Sequence, residues 1–210
     1  MKITVIGAGN MGAGLVQQFT RAGHPVRVTA RELGKAQALA AAHTGAQALA
    51  APEALADSDV VVLAVPYSEA VSALQSLGDL SGRIVIDITN PLTADYMGLT
   101  IGHSTSAAEE ISKAFPTAQV VKAFNTIFAQ VLSEGPSFAQ GQTVPVYYAG
   151  DSERAKQTAR VLIESTGFKA VDAGALKNAR YLEPLGGLNI YFGYGAGLGT
   201  QIAPTWIQRA

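Results

Sequence analysis

Short apolar segments alternate with amphipathic ones along most of the chain. Several apolar segments lack a polar face, as strands buried in a parallel sheet do; they lie at 2–6, 25–29, 47–50, 59–65, 83–88 and 119–124. Between them, apolar side chains recur at helical spacing, which predicts helices at 11–22, 34–43, 52–56, 68–77 and 106–115. Alternating strands and helices predict right-handed crossovers and an α/β fold with a doubly wound, mostly parallel sheet.

The pattern changes after residue 143. A strand at 144–149, a helix at 152–166 and a strand at 169–172 precede a helical segment from Ala175 that is rich in glycine. Each glycine inside a helix costs about 1 kcal/mol relative to alanine, so a close approach should offset that cost at Gly186, Gly187, Gly193, Gly195, Gly197 and Gly199. The approaching group could be another helix, as at a dimer interface, or a flat ligand ring. We therefore separate residues 1–143 from a small C-terminal α/β and helical part, residues 144–210.

A glycine-rich turn joins the first predicted strand to the first predicted helix. It consists of Gly7, Ala8, Gly9, Asn10, Met11 and Gly12. This is the spacing of the dinucleotide fingerprint: Gly7 would form the tight turn, Gly9 would let a pyrophosphate approach the backbone, and Gly12 would let the helix pack on the strand. Free N–H groups at the start of the helix would bind the phosphates. We therefore predict a Rossmann-type dinucleotide-binding domain over residues 1–143.

The residues after the second strand bear on which dinucleotide is bound. NAD enzymes usually carry Asp or Glu there, whereas this chain has Ala30, Arg31 and Glu32, followed by Lys35. The planar guanidinium of Arg31 could hold a 2′-phosphate, and Lys35 would add a second positive charge. Two alternatives stay open: Glu32 and Lys35 could simply pair at i, i+3, or Glu32 could bind the ribose of NAD. The pattern favours NADP(H).

Further turns follow other predicted strands, at the edge of the sheet where ligands bind in this kind of fold. Their candidate cofactor-binding residues are Val65, Pro66, Thr89, Asn90, Pro91 and Asn125. An amide of Asn90 or Asn125 could hold the nicotinamide carboxamide. Lys122 lies close by in the sequence, but alternation along its strand indicates that it anchors the rim of the sheet rather than donates a proton.

Few side chains offer acid, base or metal chemistry. The chain contains no cysteine, which excludes a thiol nucleophile or a disulfide, and its three histidines lack the spacing of metal ligands. His24 and His43 fall in a turn and at a helix end, while His103 lies nearest the predicted cleft without an obvious carboxylate partner. We predict no metal site and no catalytic residue, since hydride transfer between two cofactors needs alignment rather than a protein acid.

Composition limits the partners of the chain. Hydrophobic residues make up 48% of it, and its net charge of −1 gives no general reason to bind nucleic acid or an anionic membrane. The first apolar run is too short for a signal peptide, and no run approaches the roughly 18 apolar residues of a membrane span. We expect a cytoplasmic protein whose partner is a small-molecule redox acceptor.

The chain resembles the NADPH-dependent deazaflavin reductase family, whose members pass hydride between NADP and coenzyme F420. The blocks that carry the resemblance occur in family order at 6–12, 88–92, 106–109, 121–126 and 172–180. The resemblance implies a Rossmann domain, a small C-terminal domain that covers the nicotinamide, and a homodimer. Ala8 departs from a family hydroxyl residue, usually threonine, and Ala30 from a serine that often helps to hold the 2′-phosphate. Each lost hydrogen bond would weaken NADP binding by about 1 kcal/mol.

The resemblance leaves the hydride acceptor open. The related reductase domain of the STEAP metalloreductases passes electrons from NADPH to flavin, so FMN is an alternative to coenzyme F420. A small carbonyl or imine dehydrogenase is another hypothesis, although such enzymes usually have a larger helical second domain than residues 144–210. A third hypothesis is a non-catalytic sensor that binds NADPH.

Overall fold

The computed structural model describes residues 1–207 and Arg209. Its strands are β1 (Ile3–Ile6), β2 (Val26–Thr29), β3 (Ala46–Ala48), β4 (Val60–Leu63), β5 (Ile84–Asp87), β6 (Gln119–Lys122), β7 (Pro145–Gly150) and β8 (Lys169–Asp172). They form one eight-stranded sheet in the order β3-β2-β1-β4-β5-β6-β7-β8. Neighbouring strands are parallel except β6 and β7, which are antiparallel. The predicted α/β fold is confirmed.

The helices lie close to their predicted positions. They are α1 (Asn10–Arg21), α2 (Leu33–Ala41), α3 (Ala51–Leu55), α4 (Ala70–Leu77), α5 (Ala107–Ala114), α6 (Ala129–Glu134), α7 (Glu153–Ser165) and α8 (Ala179–Ile190). Short 3₁₀ helices occur at Tyr67–Glu69, Ala139–Gly141 and Leu176–Asn178, and a π-helical turn at Tyr191–Gly195 continues α8. The pattern did not predict α6.

The strand order opens a crevice at one edge of the sheet. β1 pairs with β2 on one side and with β4 on the other, so the chain crosses over β1 between β3 and β4. In a doubly wound sheet this reversal leaves a cleft outside the carboxyl ends of the strands. The glycine turn after β1 and the turns after β4, β5 and β6 all lie at that edge.

Both faces of the sheet are covered by apolar layers. One face packs against α1, α6 and α7, with Phe19, Leu132 and Leu162 fully buried. The other face packs against α4 and α5, through side chains such as Leu74 and Ile111. With helices on both faces, the central strands need no polar side, which is why their sequences are almost continuously apolar.

Residues after 143 extend the same sheet. β7 joins β6 through the pairs Val121–Gly150 and Lys122–Ala149, and β8 adds to the outer edge of β7. The division of the chain at residue 143 stays a prediction. Within residues 1–207 and Arg209, no helix is long and apolar enough to cross a membrane.

Candidate dinucleotide-binding site

Two glycines of the turn between β1 and α1 are required by close backbone contacts. Gly7 has a φ of +116°, and a Cβ there would lie 2.1 Å from the carbonyl oxygen of Ala64. A Cβ on Gly12 would lie 2.1 Å from the carbonyl oxygen of Gly7. Any larger residue at Gly7 or Gly12 would therefore push apart the turn, the helix and the strand, as the fingerprint predicts.

Gly9 differs from these two glycines because open space surrounds it. Apart from the adjoining backbone, no heavy atom of the described residues lies within 4 Å of a Cβ built on Gly9, and the Gly9 backbone is extended at the N-cap of α1. Asn10 is exposed beside it, and Ala8 and Met11 are partly exposed. The first N–H groups of a helix lack intrahelical partners and attract anions. The turn therefore fits a diphosphate, which would occupy the space that a side chain at position 9 would fill.

The side chains expected to hold a 2′-phosphate are already paired with carboxylates. Lys35 Nζ lies 2.7 Å from Glu32 Oε1, so the i, i+3 pair that the sequence allowed is present. Arg31 Nη1 lies 3.2 Å from Oε2 of Glu69, a residue that sequence reasoning missed. Ala30, which directly follows β2, is partly buried against the core.

Both pairs are exposed to solvent, which makes them easy to break. The side chains of Arg31 and Glu69 are 79% and 46% exposed, and those of Lys35 and Glu32 are 64% and 59% exposed. The hydrogen bond from Lys35 lowers the pKa of Glu32. Exposed ion pairs contribute little to stability, so a phosphate could displace either carboxylate.

At the carboxyl edge, two asparagines join the turns after β5 and β6. Asn90 Nδ2 donates to the carbonyl oxygen of Asn125 over 2.8 Å, and Asn125 Nδ2 donates to Asn90 Oδ1 over 2.9 Å. Asn125 Nδ2 also donates to the carbonyl oxygen of Leu182 in α8 over 2.8 Å. The pair therefore holds the two turns and α8 together, and a direct contact with nicotinamide stays a prediction.

The glycines of α8 allow this close contact. A Cβ on Gly186 would lie 2.8 Å from the carbonyl oxygen of Asn125 and 2.9 Å from the side-chain amide of Asn90. A Cβ on Gly193 would lie 2.6 Å from the ring of Phe128. At these two positions the expected close approach is made by the chain itself.

Several polar atoms at this edge are buried without a partner among the described residues. They are Thr89 Oγ1, Asn125 Oδ1 and Thr126 Oγ1. Phe124, just before Asn125, adopts a φ of +59°, which a bulky residue rarely does. Buried polar groups are normally hydrogen-bonded, and strained backbone concentrates at functional sites. Pro91 is buried, whereas Val65 is partly exposed and Pro66 is exposed in the turn after β4.

Beneath the turn after β5 lies a buried cluster of charges, which we call the acidic triad: Asp87, Lys122 and Glu183. Lys122 Nζ lies 2.8 Å from Asp87 Oδ2 and 2.8 Å from Glu183 Oε1, and it also donates to the carbonyl oxygen of Thr89. Lys122, the last residue of β6, thus ties the carboxyl ends of β5 and β6 together, but from a buried position rather than from an open rim. The strand β7 continues the sheet beyond β6 and α8 covers it, so Lys122 is completely buried.

The acidic triad joins segments that are far apart in sequence. Thr89 N donates to Asp87 Oδ1 over 2.8 Å, which fixes the start of the cleft turn. The backbone N–H groups of Ala107 and Ala108, at the start of α5, donate to the two oxygens of Glu183 over 2.8 and 3.1 Å. Burial raises the pKa of Glu183, while Lys122 and these hydrogen bonds oppose the rise.

A cavity of about 640 Å³ lies between the loop after β5 and the start of α8. It is lined by His103, Lys177, Asn178, Arg180, Tyr181 and Pro184. Arg180 also binds Glu109 of α5 over 2.6 and 2.9 Å, and this bond lowers the pKa of Glu109. His103 thus lines an open cavity together with residues at the start of α8. Within the part of the chain that the structure describes, no group of three acidic or histidine residues could hold a metal ion.

Comparisons with known proteins show which family the chain is similar to. A family model described as "NADP oxidoreductase coenzyme F420-dependent" matches residues 2–91, which include the glycine turn and Asn90. The F420-dependent NADP reductase of Methanothermobacter thermautotrophicus is 31% identical over 202 residues, covering 88% of this chain and 86% of that protein.

Two further relatives extend the comparison. Metalloreductase STEAP3 of Rattus norvegicus is 32% identical over 185 residues, which cover 88% of this chain but only 36% of that protein. A crystal structure from Arthrobacter sp. FB24, assigned as an F420-dependent NADP reductase, superimposes with a TM-score of 0.83 at 28% identity, covering 95% of this chain and 96% of that one. The sequence match to the Methanothermobacter enzyme and the shared fold lead to one conclusion: the chain belongs to the family of F420-dependent NADP reductases.

Proposed function

We propose that this protein transfers hydride between NADP(H) and a deazaflavin of the coenzyme F420 type, with FMN as an alternative acceptor. The observation that carries the proposal is the open space around Gly9 beside the free N-terminus of α1. A phosphate-binding turn of this form, in a chain of this family, supports NADP(H) as the hydride carrier.

The residues that would hold NADP(H) lie along the carboxyl edge of the sheet. Backbone groups from Gly7 to Gly12 would bind the diphosphate, and Arg31 and Lys35 would bind the 2′-phosphate next to Ala30. The nicotinamide half would then lie over the turns after β4, β5 and β6, at Val65, Pro66, Thr89, Asn90, Pro91 and Asn125. Ala8 and Ala30 lack a hydroxyl group, so the side-chain contacts to the 2′-phosphate would come from Arg31 and Lys35.

Bound NADPH supplies a hydride to the acceptor ring while solvent supplies one proton, so that NADPH, the proton and the oxidised ring give NADP⁺ and the reduced ring. The protein's part is to bind, to align and to exclude water. The paired amides of Asn90 and Asn125 fix the two turns against α8, which gives the cleft a rigid floor. Alignment of two reactants on such a floor can supply much of the rate acceleration.

The acceptor would enter between the loop after β5 and α8. Support comes from the open cavity lined by His103, Lys177 and Arg180, which adjoins the start of α8. In this arrangement residues 144–210 cover the nicotinamide, as the family resemblance implies.

A homodimer is part of the proposal. Tyr191, Phe192 and Tyr194 at the end of α8 are 49%, 40% and 61% exposed, and Met97 is 45% exposed near Gly195. A large exposed apolar surface usually marks an interaction site. Sedimentation should give the mass of a dimer for the wild type and of a monomer for Phe192→Glu, whereas Val161→Glu on α7 should leave the dimer intact. A monomeric wild type would refute this part. The cytoplasmic location stays a prediction.

The test of the proposed function is NADPH oxidation, followed by its near-ultraviolet absorbance, with coenzyme F420, FMN, or no acceptor. We expect oxidation only when a ring acceptor is present, and faster with F420 than with FMN. If NADPH binds tightly but neither ring oxidises it, the hydride-transfer proposal fails and the sensor hypothesis takes its place.

A further inference from the structure

We propose that the acidic triad of Asp87, Lys122 and Glu183 is an electrostatic positioning element that favours binding of the oxidised, cationic nicotinamide over the reduced, neutral one. The inference rests on the proposed NADP(H) function and adds to it a group of residues that set the relative stability of the two bound forms.

The hydrogen-bond pattern assigns a net negative charge to the acidic triad. Asp87 accepts from Thr89 N and Lys122 Nζ, and Glu183 accepts from Ala107 N, Ala108 N and Lys122 Nζ. All these partners are donors, and the four carboxyl oxygens each accept at least one of them. The O–H of a protonated carboxyl group would find no acceptor among these partners. Both carboxylates are therefore ionised, and one ammonium group neutralises only one of them.

The strand order places this charge at the nicotinamide end of the cleft. The 2′-phosphate residues follow β2 on one side of β1, so a dinucleotide laid across the glycine turn extends its other half over β4 and β5 on the opposite side. Asp87 is the last residue of β5. Lys122 donates to the carbonyl oxygen of Thr89, which is two residues farther along the chain. The acidic triad thus lies beneath the turn formed by Thr89, Asn90 and Pro91.

Burial makes the charge effective over this range. The side chains of Asp87 and Lys122 are completely buried, and that of Glu183 is 2% exposed. Buried charges are screened far less than surface charges. The N-terminus of α5 offsets part of the excess through its dipole, and the charge of Glu110 on the same helix is balanced by Lys113, whose Nζ lies 2.7 Å from Glu110 Oε1. Burial raises the pKa of Tyr67 nearby; the charges of Glu110, Glu183 and Asp87 raise it further, and that of Lys122 lowers it.

The negative charge would favour hydride transfer from NADPH to the acceptor over transfer in the reverse direction. Positive charge develops on the nicotinamide ring as hydride leaves it, and a buried negative charge nearby stabilises that change. The triad would therefore make bound NADPH a better hydride donor without touching either reactant.

The test compares the dissociation constants of NADP⁺ and NADPH, measured by calorimetry without any acceptor. Glu183→Gln and Asp87→Asn each remove one negative charge while keeping side-chain shape. We expect each variant to weaken NADP⁺ relative to NADPH by about fivefold, as a buried unit charge does at an effective dielectric of about 20. A purely structural role would change both constants equally and would overturn the proposal.

Glu109→Gln is the matched control. Like Glu183, Glu109 connects α5 and α8, in this case through an ion pair with Arg180. This pair is partly exposed, since the side chain of Glu109 is 16% exposed and that of Arg180 is 36% exposed. The variant makes the same change in formal charge and loosens the same two helices. We expect the ratio of the two constants to stay within about twofold of the wild type, because exposed charges are screened. An equal shift in this control would overturn the role of the triad.

A second measurement applies if neither triad variant folds. The infrared spectrum of the wild-type protein at neutral pH should lack the carbonyl band of a buried protonated carboxyl group. Presence of that band would contradict the assigned charge and overturn the proposal. If the wild type binds neither NADP⁺ nor NADPH, the proposed function itself fails, an outcome distinct from an unchanged ratio.

Discussion

The two ends of the cleft hold their charges in opposite ways. At the proposed ribose end, the pairs of Arg31 with Glu69 and Lys35 with Glu32 are exposed and formally balanced. At the proposed nicotinamide end, Asp87, Lys122 and Glu183 are buried, and we assign them an excess negative charge. An exposed pair can exchange partners at little cost, whereas a buried pair cannot. The first region therefore suits ligand selection, and the second suits a fixed geometry.

Of the substitutions that test this difference, Lys122→Met should have the largest effect. Loss of the ammonium leaves two buried carboxylates without a cation, which should destabilise the fold by about 3–5 kcal/mol. Chemical unfolding would measure the change. Lys156→Met is the matched control, because Lys156 also binds two carboxylates, those of Glu153 and Asp172, which are 87% and 45% exposed. A similar loss in both variants would show that burial does not distinguish the acidic triad.

Gly9→Val tests the phosphate turn between the two regions. A Cβ at position 9 has open space beyond its chain neighbours and its own helix, and Gly9 has no left-handed φ, so the variant should fold. It should lower the affinity for NADPH and NADH alike by on the order of a hundredfold or more, because it fills the phosphate space. Gly102→Val, also at an open position, should bind normally in the same fluorescence titration. Retained affinity in folded Gly9→Val would refute the phosphate assignment.

Arg31→Ala tests cofactor choice at the ribose end. We expect the dissociation constant of NADPH to rise about tenfold, the effect of one charge-assisted hydrogen bond. That of NADH should scarcely change. Arg154→Ala, an exposed arginine on α7, controls for general attraction of the more anionic cofactor. Equal losses for NADPH and NADH would mean that Arg31 does not contact the 2′-phosphate.

Glu69→Gln should have the smallest effect and the opposite sign. It releases Arg31 from its carboxylate partner, so NADPH should bind about two- to threefold more tightly, in keeping with the modest strength of an exposed pair. NADH binding should stay constant, which makes it the internal reference. Weaker NADPH binding in this variant would show that Glu69 orients Arg31 rather than competes for it.

Much of the fold was predictable because its signals are local. The apolar strands, the helix spacing and the glycine turn each lie within a few residues, and the roles of Gly7 and Gly12 follow from the turn they make. The start of α5 was predicted at residue 106 from local sequence as well, and the Ser106 hydroxyl accepts from Glu109 N over 3.2 Å. Helix α6, which packs against α1 and is six residues long, was not predicted from the sequence.

The charge clusters were not predictable because they depend on tertiary contacts. Glu69 reaches Arg31 only after the crossover brings the turns after β2 and β4 to either side of β1. The burial of Lys122 was not predicted, because nothing local in the sequence indicates that β7 pairs antiparallel with β6. Glu183 lies on α8, far from Lys122 in the sequence, and only the tertiary fold brings the two side chains together.

The most direct test of hydride transfer uses NADPH carrying deuterium at the nicotinamide C4, with coenzyme F420 as the acceptor. Because the cleft aligns the two rings, we expect deuterium to arrive on the reduced deazaflavin ring from only one of the two C4 epimers. Loss of the label to solvent, or transfer from both epimers alike, would contradict direct transfer on an aligning surface.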